Sequence, residues 1–203
     1  MKKRKPVREV LVLCLQGLGN TLLFTPTLRL LRQGIPGAGI TVVVSRESSR
    51  QLLSGNHHLD RIYLLHTKPR SSLSRMFGFR RWLRSRPFDV CITAFPANRR
   101  EFNLISRLSG ARVRIGHRYP KKFLRSLSFL QNFRLPLDFT AHDVDQNLAL
   151  LNPLGIKVPD DFGKRLDITL EPEHRGFAQA WLQAHKLNPD GPIIGLHPGS
   201  SPE

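Results

Sequence analysis

Val10-Leu-Val-Leu-Cys-Leu-Gln-Gly-Leu-Gly-Asn-Thr-Leu-Leu-Phe-Thr-Pro-Thr-Leu-Arg29 joins an unbroken apolar run to a glycine-bearing turn and then to a helical pattern. Val10 to Leu15 shows no polar alternation, as expected of a central parallel strand covered on both faces. Gln16-Gly-Leu-Gly-Asn20 supplies the turn. From Thr21 to Gln33, Leu22, Leu23, Leu28, Leu30 and Leu31 alternate with Arg29 and Arg32, which predicts a helix ended by Gly34-Ile-Pro-Gly37.

Strand and helix keep alternating downstream. Strands are predicted at Ile40 to Val44, Arg61 to Leu65, Phe88 to Thr93 and Arg112 to Gly116. Helices are predicted at Ser48 to Leu53, Ser71 to Arg86, Asn103 to Leu108, His142 to Leu154 and Glu173 to His185. Residues 117–140 are basic and irregular and yield no assignment. Pro192-Ile-Ile-Gly-Leu196 reads as a fresh strand running into His197-Pro-Gly-Ser-Ser201. The alternation predicts an α/β fold, a doubly wound Rossmann-like parallel sheet with right-handed crossovers. Residues 1–170 are expected to form that domain, and 171–203 a linker helix with the first strand of a second α/β domain.

The chain has 203 residues, 32 Lys+Arg against 15 Asp+Glu, and a net charge of +17. The surplus is concentrated: Arg61 to Arg134 holds 18 basic residues and only Asp89 and Glu101 as acids, a net of +16. Such a field attracts polyanions such as nucleic acid, anionic lipid or a phosphorylated glycolipid. Cys14 and Cys91 both lie in apolar strand patterns, which argues against a disulfide framework or a zinc site and fits a reducing compartment. The apolar run behind the basic start at Met1 is too short for a signal peptide, and no run approaches a membrane span.

In a doubly wound sheet, ligands bind at the carboxyl ends of the strands. Gly17 and Gly19 would permit backbone conformations closed to other residues and a close approach by a ligand. A helix starting near Thr21 would aim its amides at the same place and suit an anion. The nicotinamide-cofactor pattern is not met: Leu22 stands where the third glycine would be, and the second strand ends at Ser45 and Arg46 rather than at an acid. His57-His58 and the other histidines lack metal-ligand spacing.

The opening stretch resembles glycosyltransferase family 9, the ADP-heptose:lipopolysaccharide heptosyltransferases, which begin with an apolar strand, a glycine turn and a helix containing Thr-Pro. Ile35-Pro36 before the second strand, Gly55-Asn-His-His-Leu-Asp60, Phe88-Asp89 and Gly110-Ala-Arg-Val-Arg-Ile-Gly116 resemble further family segments. So do His142 with Asn147-Leu-Ala-Leu-Leu151, Leu154-Gly155, and the His197–Ser201 loop, all in family order. The resemblance implies the N-terminal half of a GT-B glycosyltransferase that binds the acceptor, and a donor half that binds ADP-heptose. It implies no metal and no cofactor beyond the nucleotide-sugar donor. It also implies a cytoplasmic protein, peripheral at the inner face of the inner membrane.

The resemblance carries residue expectations too. Gly17, Gly19, Asn20 and Thr21 fall on the acceptor side, and Gly199, Ser200 and Ser201 on the donor phosphates. The family's general base is taken to be an aspartate of the first turn, and Asn20 stands there. An amide cannot take the proton, so Asn20 is left to orient the acceptor or to cap a helix, and His142 or a nearby acid is left as base. Arg99, Arg100, Arg112 and Arg114 are the candidate contacts for acceptor phosphates. Met76, Phe77, Phe79, Trp82 and Leu83 among the arginines suit either an interfacial helix or a core face.

The expected activity is transfer of heptose, or a related sugar, to the phosphorylated inner core of lipopolysaccharide, with this chain inactive alone. The alternative is a non-catalytic module binding the acceptor or another polyanion. A monomer without a sequence-specific nucleic-acid partner is expected, since no recognition-helix or RNP-type pattern occurs.

Overall fold

The computed structural model describes residues 6–65, 73–119, 126–188 and 191–196, and only the backbone of 73–77. It divides into two compact units, Met1–Ile168 and Thr169–Glu203.

The first unit is built on β1 (Glu9–Cys14), β2 (Gly39–Val44), β3 (Arg61–Leu64), β4 (Val90–Thr93), β5 (Val113–His117) and β6 (Phe133–Leu135). The strands lie in the order β3-β2-β1-β4-β5-β6 and every pairing is parallel. From β1 the chain winds outward through β2 and β3, returns to the centre at β4, and winds the other way. The direction therefore reverses between β1 and β4, which is where an open α/β sheet leaves a crevice at its carboxyl edge.

The unbroken apolar run of β1 follows from burial on both faces. Val10, Val12 and Cys14 pack with Phe24, Leu28, Leu31, Val144 and Leu148, carried by the residue before α2 (Thr25–Gly34), by α2 itself and by α6 (Asp143–Ala149). Leu11 and Leu13 face Phe79, Trp82, Leu83 and Ile105, carried by α4 (Leu73–Arg84) and α5 (Arg100–Leu108). Each such leucine contributes about 1.5–3 kcal/mol relative to exposure. Cys14 and Cys91 are free, buried and on opposite faces, and burial raises both thiols, Cys91 to about 11.

The helix predicted from Thr21 is two helices, α1 (Leu18–Leu23) and α2, bent at Phe24. Pro26 explains the break, because it has no N–H for the Leu22 carbonyl and its ring crowds that group. The Thr25 hydroxyl donates to that carbonyl instead, at 2.8 Å. The helix predicted over His142 to Leu154 likewise stops at Ala149, and Pro153 lies in a separate 3-10 turn, Asn152–Leu154. Gly155 follows at φ 82°, the left-handed conformation that ends helices.

α3 (Glu47–Leu53) covers the β2–β3 side. β6, which no sequence pattern announced, pairs with β5 through Ile115 and Phe133, Gly116 and Arg134, and His117 and Leu135.

The second unit contains α7 (Pro172–Ala184), started by a capping box between Glu171 and His174. Phe177 and Trp181 on this helix are exposed. Residues 192–196, expected as a strand, pair with no strand among the described residues, and Ile194 and Leu196 are exposed. An isolated extended segment lacks the ladder that would make it a strand. No described helix is long and apolar enough to cross a membrane.

Candidate functional site

The crevice between β1 and β4 is lined by the turn that follows each strand. On the β1 side, Gly17 precedes α1 with φ −70° and ψ 174°, and a Cβ at Gly17 or Gly19 would meet nothing within 4 Å. Neither glycine has a positive φ. The conformations closed to other residues that these glycines permit are therefore not used, while open space over both keeps the backbone approachable. The first amides of α1 lack intrahelical acceptors, as at any helix start.

Asn20 is the third residue of α1 rather than its cap, a place held by Gly17. Its side chain is partly exposed and has no hydrogen-bond partner among the described residues. Thr21, expected at the acceptor, is buried instead. Its hydroxyl lies 3.2 Å from the Gly17 carbonyl and 3.1 Å from the Ser49 hydroxyl, tying α1 to α3.

Gln16 spans the crevice floor. Its Nε2 donates to the Ala94 carbonyl at 2.6 Å and also to the Pro96 carbonyl. The loop it holds contains a cis Phe95–Pro96 bond. Asn147, fully buried on α6, accepts from the Phe95 N–H at 2.8 Å and donates to the Asp143 carbonyl at 2.9 Å. The Tyr119 hydroxyl accepts from the Ala97 N–H at 2.7 Å, and burial pushes its pKa up to about 12. Three side chains from β1, α6 and the β5 end thus fix the four-residue run after β4. Sequence reasoning missed this network, since amide contacts to main chain across some eighty residues leave no local pattern.

His117 ends β5 beneath this loop. It is 2% exposed, its ring meets Phe95 edge-on at 5.4 Å, and neither ring nitrogen has a partner among the described residues. Burial lowers its pKa to about 4, so the ring is neutral near pH 7.

The basic candidates separate. Arg99 stands just before α5 and Arg100 opens it, both exposed on the loop from β4, and Arg100 lies 3.7 Å from Glu101. Arg46 after β2 and Arg118 after β5 are exposed at the same edge and were not singled out from sequence. Arg46, Arg99 and Arg118 form no ion pair among the described residues.

Arg112 and Arg114 lie apart from the crevice. Arg112 precedes β5, donates to the Pro6 carbonyl and lies 3.5 Å from Asp89 at the amino edge. Arg114 donates to the Leu130 and Ala111 carbonyls at 3.0 and 2.8 Å. Their guanidinium groups hold the sheet's far edge together, a strand length of roughly 13 Å away.

His142 caps α6: its Nδ1 accepts from the Val144 N–H at 3.2 Å. In that arrangement the neutral ring carries its proton on Nε2, so it has no lone pair left for an acceptor proton. Gly199, Ser200 and Ser201 lie outside the described residues. Among the described residues no group of three His, Cys, Asp or Glu could hold a metal ion.

Phe79 and Leu83 are buried and Trp82 half-buried, so these three α4 residues form core rather than an interfacial face. Met76 and Phe77 side chains lie outside the described residues.

No protein-family model and no curated protein matches the sequence. Solved structures do match. A glycosyl transferase family 9 protein from Veillonella parvula superposes with a TM-score of 0.74 and 25% identity, over 91% of this chain and 51% of that one. The chain resembles glycosyltransferase family 9. The E. coli heptosyltransferase WaaC has the same fold at 23% identity. With ADP-2-deoxy-2-fluoro heptose the TM-score is 0.62 over 77% of this chain, and with ADP it is 0.60 over 78%. The chain spans about half the length of these structures.

Proposed function

We propose that the chain is the acceptor-binding part of a glycosyltransferase that moves heptose, or a related sugar, from ADP-heptose to the phosphorylated inner core of lipopolysaccharide. The reaction is an inverting, metal-independent displacement in which the acceptor hydroxyl attacks the anomeric carbon and the nucleoside diphosphate leaves. The observation that carries this reading is the match to the family 9 structure over 91% of the chain. Support comes from the crevice itself: open backbone at Gly17 and Gly19, the uncommitted amide of Asn20, and Arg99, Arg100 and Arg118 around it.

In this scheme the arginines hold acceptor phosphates by charge-assisted, bidentate hydrogen bonds. Asn20 orients the acceptor hydroxyl, since its amide both donates and accepts. The base is a group other than Asn20 or the capped ring of His142, whose Nδ1 is engaged by Val144. Donor binding belongs to the part of the related structures that this chain does not span.

The reading is tested by sugar transfer from ADP-heptose to heptose-deficient lipopolysaccharide, with the chain alone and with the chain fused to the donor half of a family 9 relative. Turnover by the fusion, with inverted product stereochemistry and no loss in EDTA, supports the scheme. Absence of turnover in both, with acceptor still bound, favours the non-catalytic binding module.

A further inference from the structure

We infer that Thr25 is a positioning residue whose hydroxyl couples α1, the helix carrying Gly19 and Asn20 of the crevice, to a strap formed by residues 162–167. The coupling lies within the first unit and stands whether or not the chain takes part in sugar transfer.

Residues 156–168 contain no helix or strand, so their main chain must find partners outside a ladder or a helical turn. Arg29 of α2, only 8% exposed, supplies several of them. Its Nη1 donates to the Asp167 carboxylate at 2.5 Å and to the Arg165 carbonyl at 3.3 Å, and its Nη2 donates to the Gly163 carbonyl. The Phe162 ring lies 4.8 Å from the same guanidinium group and packs against the core that β1 shares with α2 and α6. Lys164 lies 2.7 Å from Asp145 of α6. The segment is thus a strap fastened to two helices, and the first unit ends just beyond it at Ile168.

Thr25 joins this strap to the bend between α1 and α2. It is fully buried, accepts from the Asp167 N–H at 2.9 Å and donates to the Leu22 carbonyl at 2.8 Å. That carbonyl is the one Pro26 leaves without its helical donor. A hydroxyl has one proton and two lone pairs, and accepting a hydrogen bond makes it a better donor. The Asp167 N–H therefore strengthens the bond that closes the last turn of α1, and release of the strap weakens it. A hydroxyl serving only its own helix would need no donor from a residue 142 positions away.

α1 depends on such ties because it has six residues, far fewer than the roughly twelve an isolated helix needs. Its first turn is tied by Thr21 to Ser49 of α3, and its last turn by Thr25 to the strap. Gly19 and Asn20 lie between those two ties, so the lip of the crevice after β1 takes its seat from both.

The test is NMR of the purified chain without ligand. It reads the amide shifts of Gly19, Asn20 and Leu22 and the hydrogen exchange of the Thr21 and Phe24 N–H groups, which bond to the Gly17 and Thr21 carbonyls. Arg29→Gln/Asp167→Asn releases the strap without leaving a buried carboxylate unpaired. It should move the three amides and speed the two exchanges about tenfold, a modest coupling between linked sites. Thr25→Val, which keeps the ion pair, should reproduce both effects, and Thr25→Ser should restore values close to native. In a Thr25→Val background, release of the strap should add no further change at α1. The amides of Arg61 and Asp89 should stay in place throughout.

Unmoved α1 amides on release of the strap, or a full effect of release in the Thr25→Val background, would overturn the proposal. So would equal shifts at Arg61 and Asp89, which would mean a general loss of packing. Should the strap-release variant fail to fold, Thr25→Val against Thr25→Ser decides through the same readouts. A final arm rests on the acceptor reading: a phosphorylated inner-core saccharide should bind the released variant about fivefold more weakly than the native chain. No binding to either, with the α1 shifts present, would leave the coupling standing and sink the acceptor reading instead.

Discussion

The two edges of the sheet use the same residue types in opposite ways. At the amino edge three arginines are paired with carboxylates: Arg61 lies 3.0 Å from Glu9, Arg32 lies 2.6 Å from Asp60, and Arg112 lies beside Asp89. Asp60 also accepts from the Ile40 N–H, and Asp89 from the Arg8 and Glu9 N–H groups, so carboxylates here close off strand starts. At the carboxyl edge, among the described residues, Arg46, Arg99 and Arg118 have no ionic partner and the Asn20 amide has no hydrogen-bond partner. Beneath them a buried network of Gln16, Asn147 and Tyr119 holds the β4 loop rigid. Paired charge marks the edge that serves the fold, and unpaired charge over a fixed floor marks the edge available to a ligand.

The contrast can be broken most strongly at the floor. Asn147→Ala leaves the Phe95 N–H unsatisfied and opens a cavity under α6. It should destabilise the protein by about 3 kcal/mol, read from urea unfolding. A loss below about 0.5 kcal/mol would mean that the network does not hold the loop.

His117 supplies a pH signature of the same floor. Its folded pKa is depressed to about 4 from an ordinary 6.5, so the unfolded chain binds the proton more readily between those values. Stability from the neutral buried ring is complete above about pH 6.5 and falls as pH drops toward 4, by up to about 3 kcal/mol. His117→Phe should flatten that part of the stability profile. An unchanged slope would place the titration elsewhere.

At the amino edge Asp89→Ala should cost about 2 kcal/mol, since two strand-start amides and Arg112 lose their acceptor. Arg99→Ala and Arg118→Ala should each change stability by less than about 0.5 kcal/mol while weakening binding of phosphorylated saccharide. If the carboxyl-edge changes were the more destabilising, the division between the edges would fail. Smallest in stability is Asn20→Asp, a partly exposed change in the first turn of α1 worth a few tenths of a kcal/mol at most. Fused to the donor half of a family 9 relative, the variant should raise the transfer rate by placing a carboxylate where the amide stands, and an unchanged rate would place the base elsewhere.

Much of this fold was legible because burial on two faces writes itself into sequence. The run Val10 to Leu15 and the alternation after it located five of the six strands and, with them, the crevice. Pro26 and Pro153 are visible in the sequence, and each breaks a helix that the apolar spacing alone would continue. β6 was not legible, because three residues, Phe133, Arg134 and Leu135, carry no period and gain their identity from register with β5.

At the site, charge alone does not separate Arg112 and Arg114 from Arg99 and Arg118. Their position before and early in a strand, rather than after it, puts them at the amino edge of a parallel sheet, whereas Arg99 and Arg118 follow strands. Asn147 and Gln16 gave no warning because their partners are main-chain groups supplied by distant segments.

The most direct measurement is an NMR titration of the chain with a soluble, phosphorylated inner-core saccharide. Shifts are expected at the amides of Gly17, Gly19, Asn20, Arg99 and Arg118, with Arg61, Asp89 and Arg112 unmoved. Shifts centred on the amino edge, or none at saturating saccharide, would contradict this.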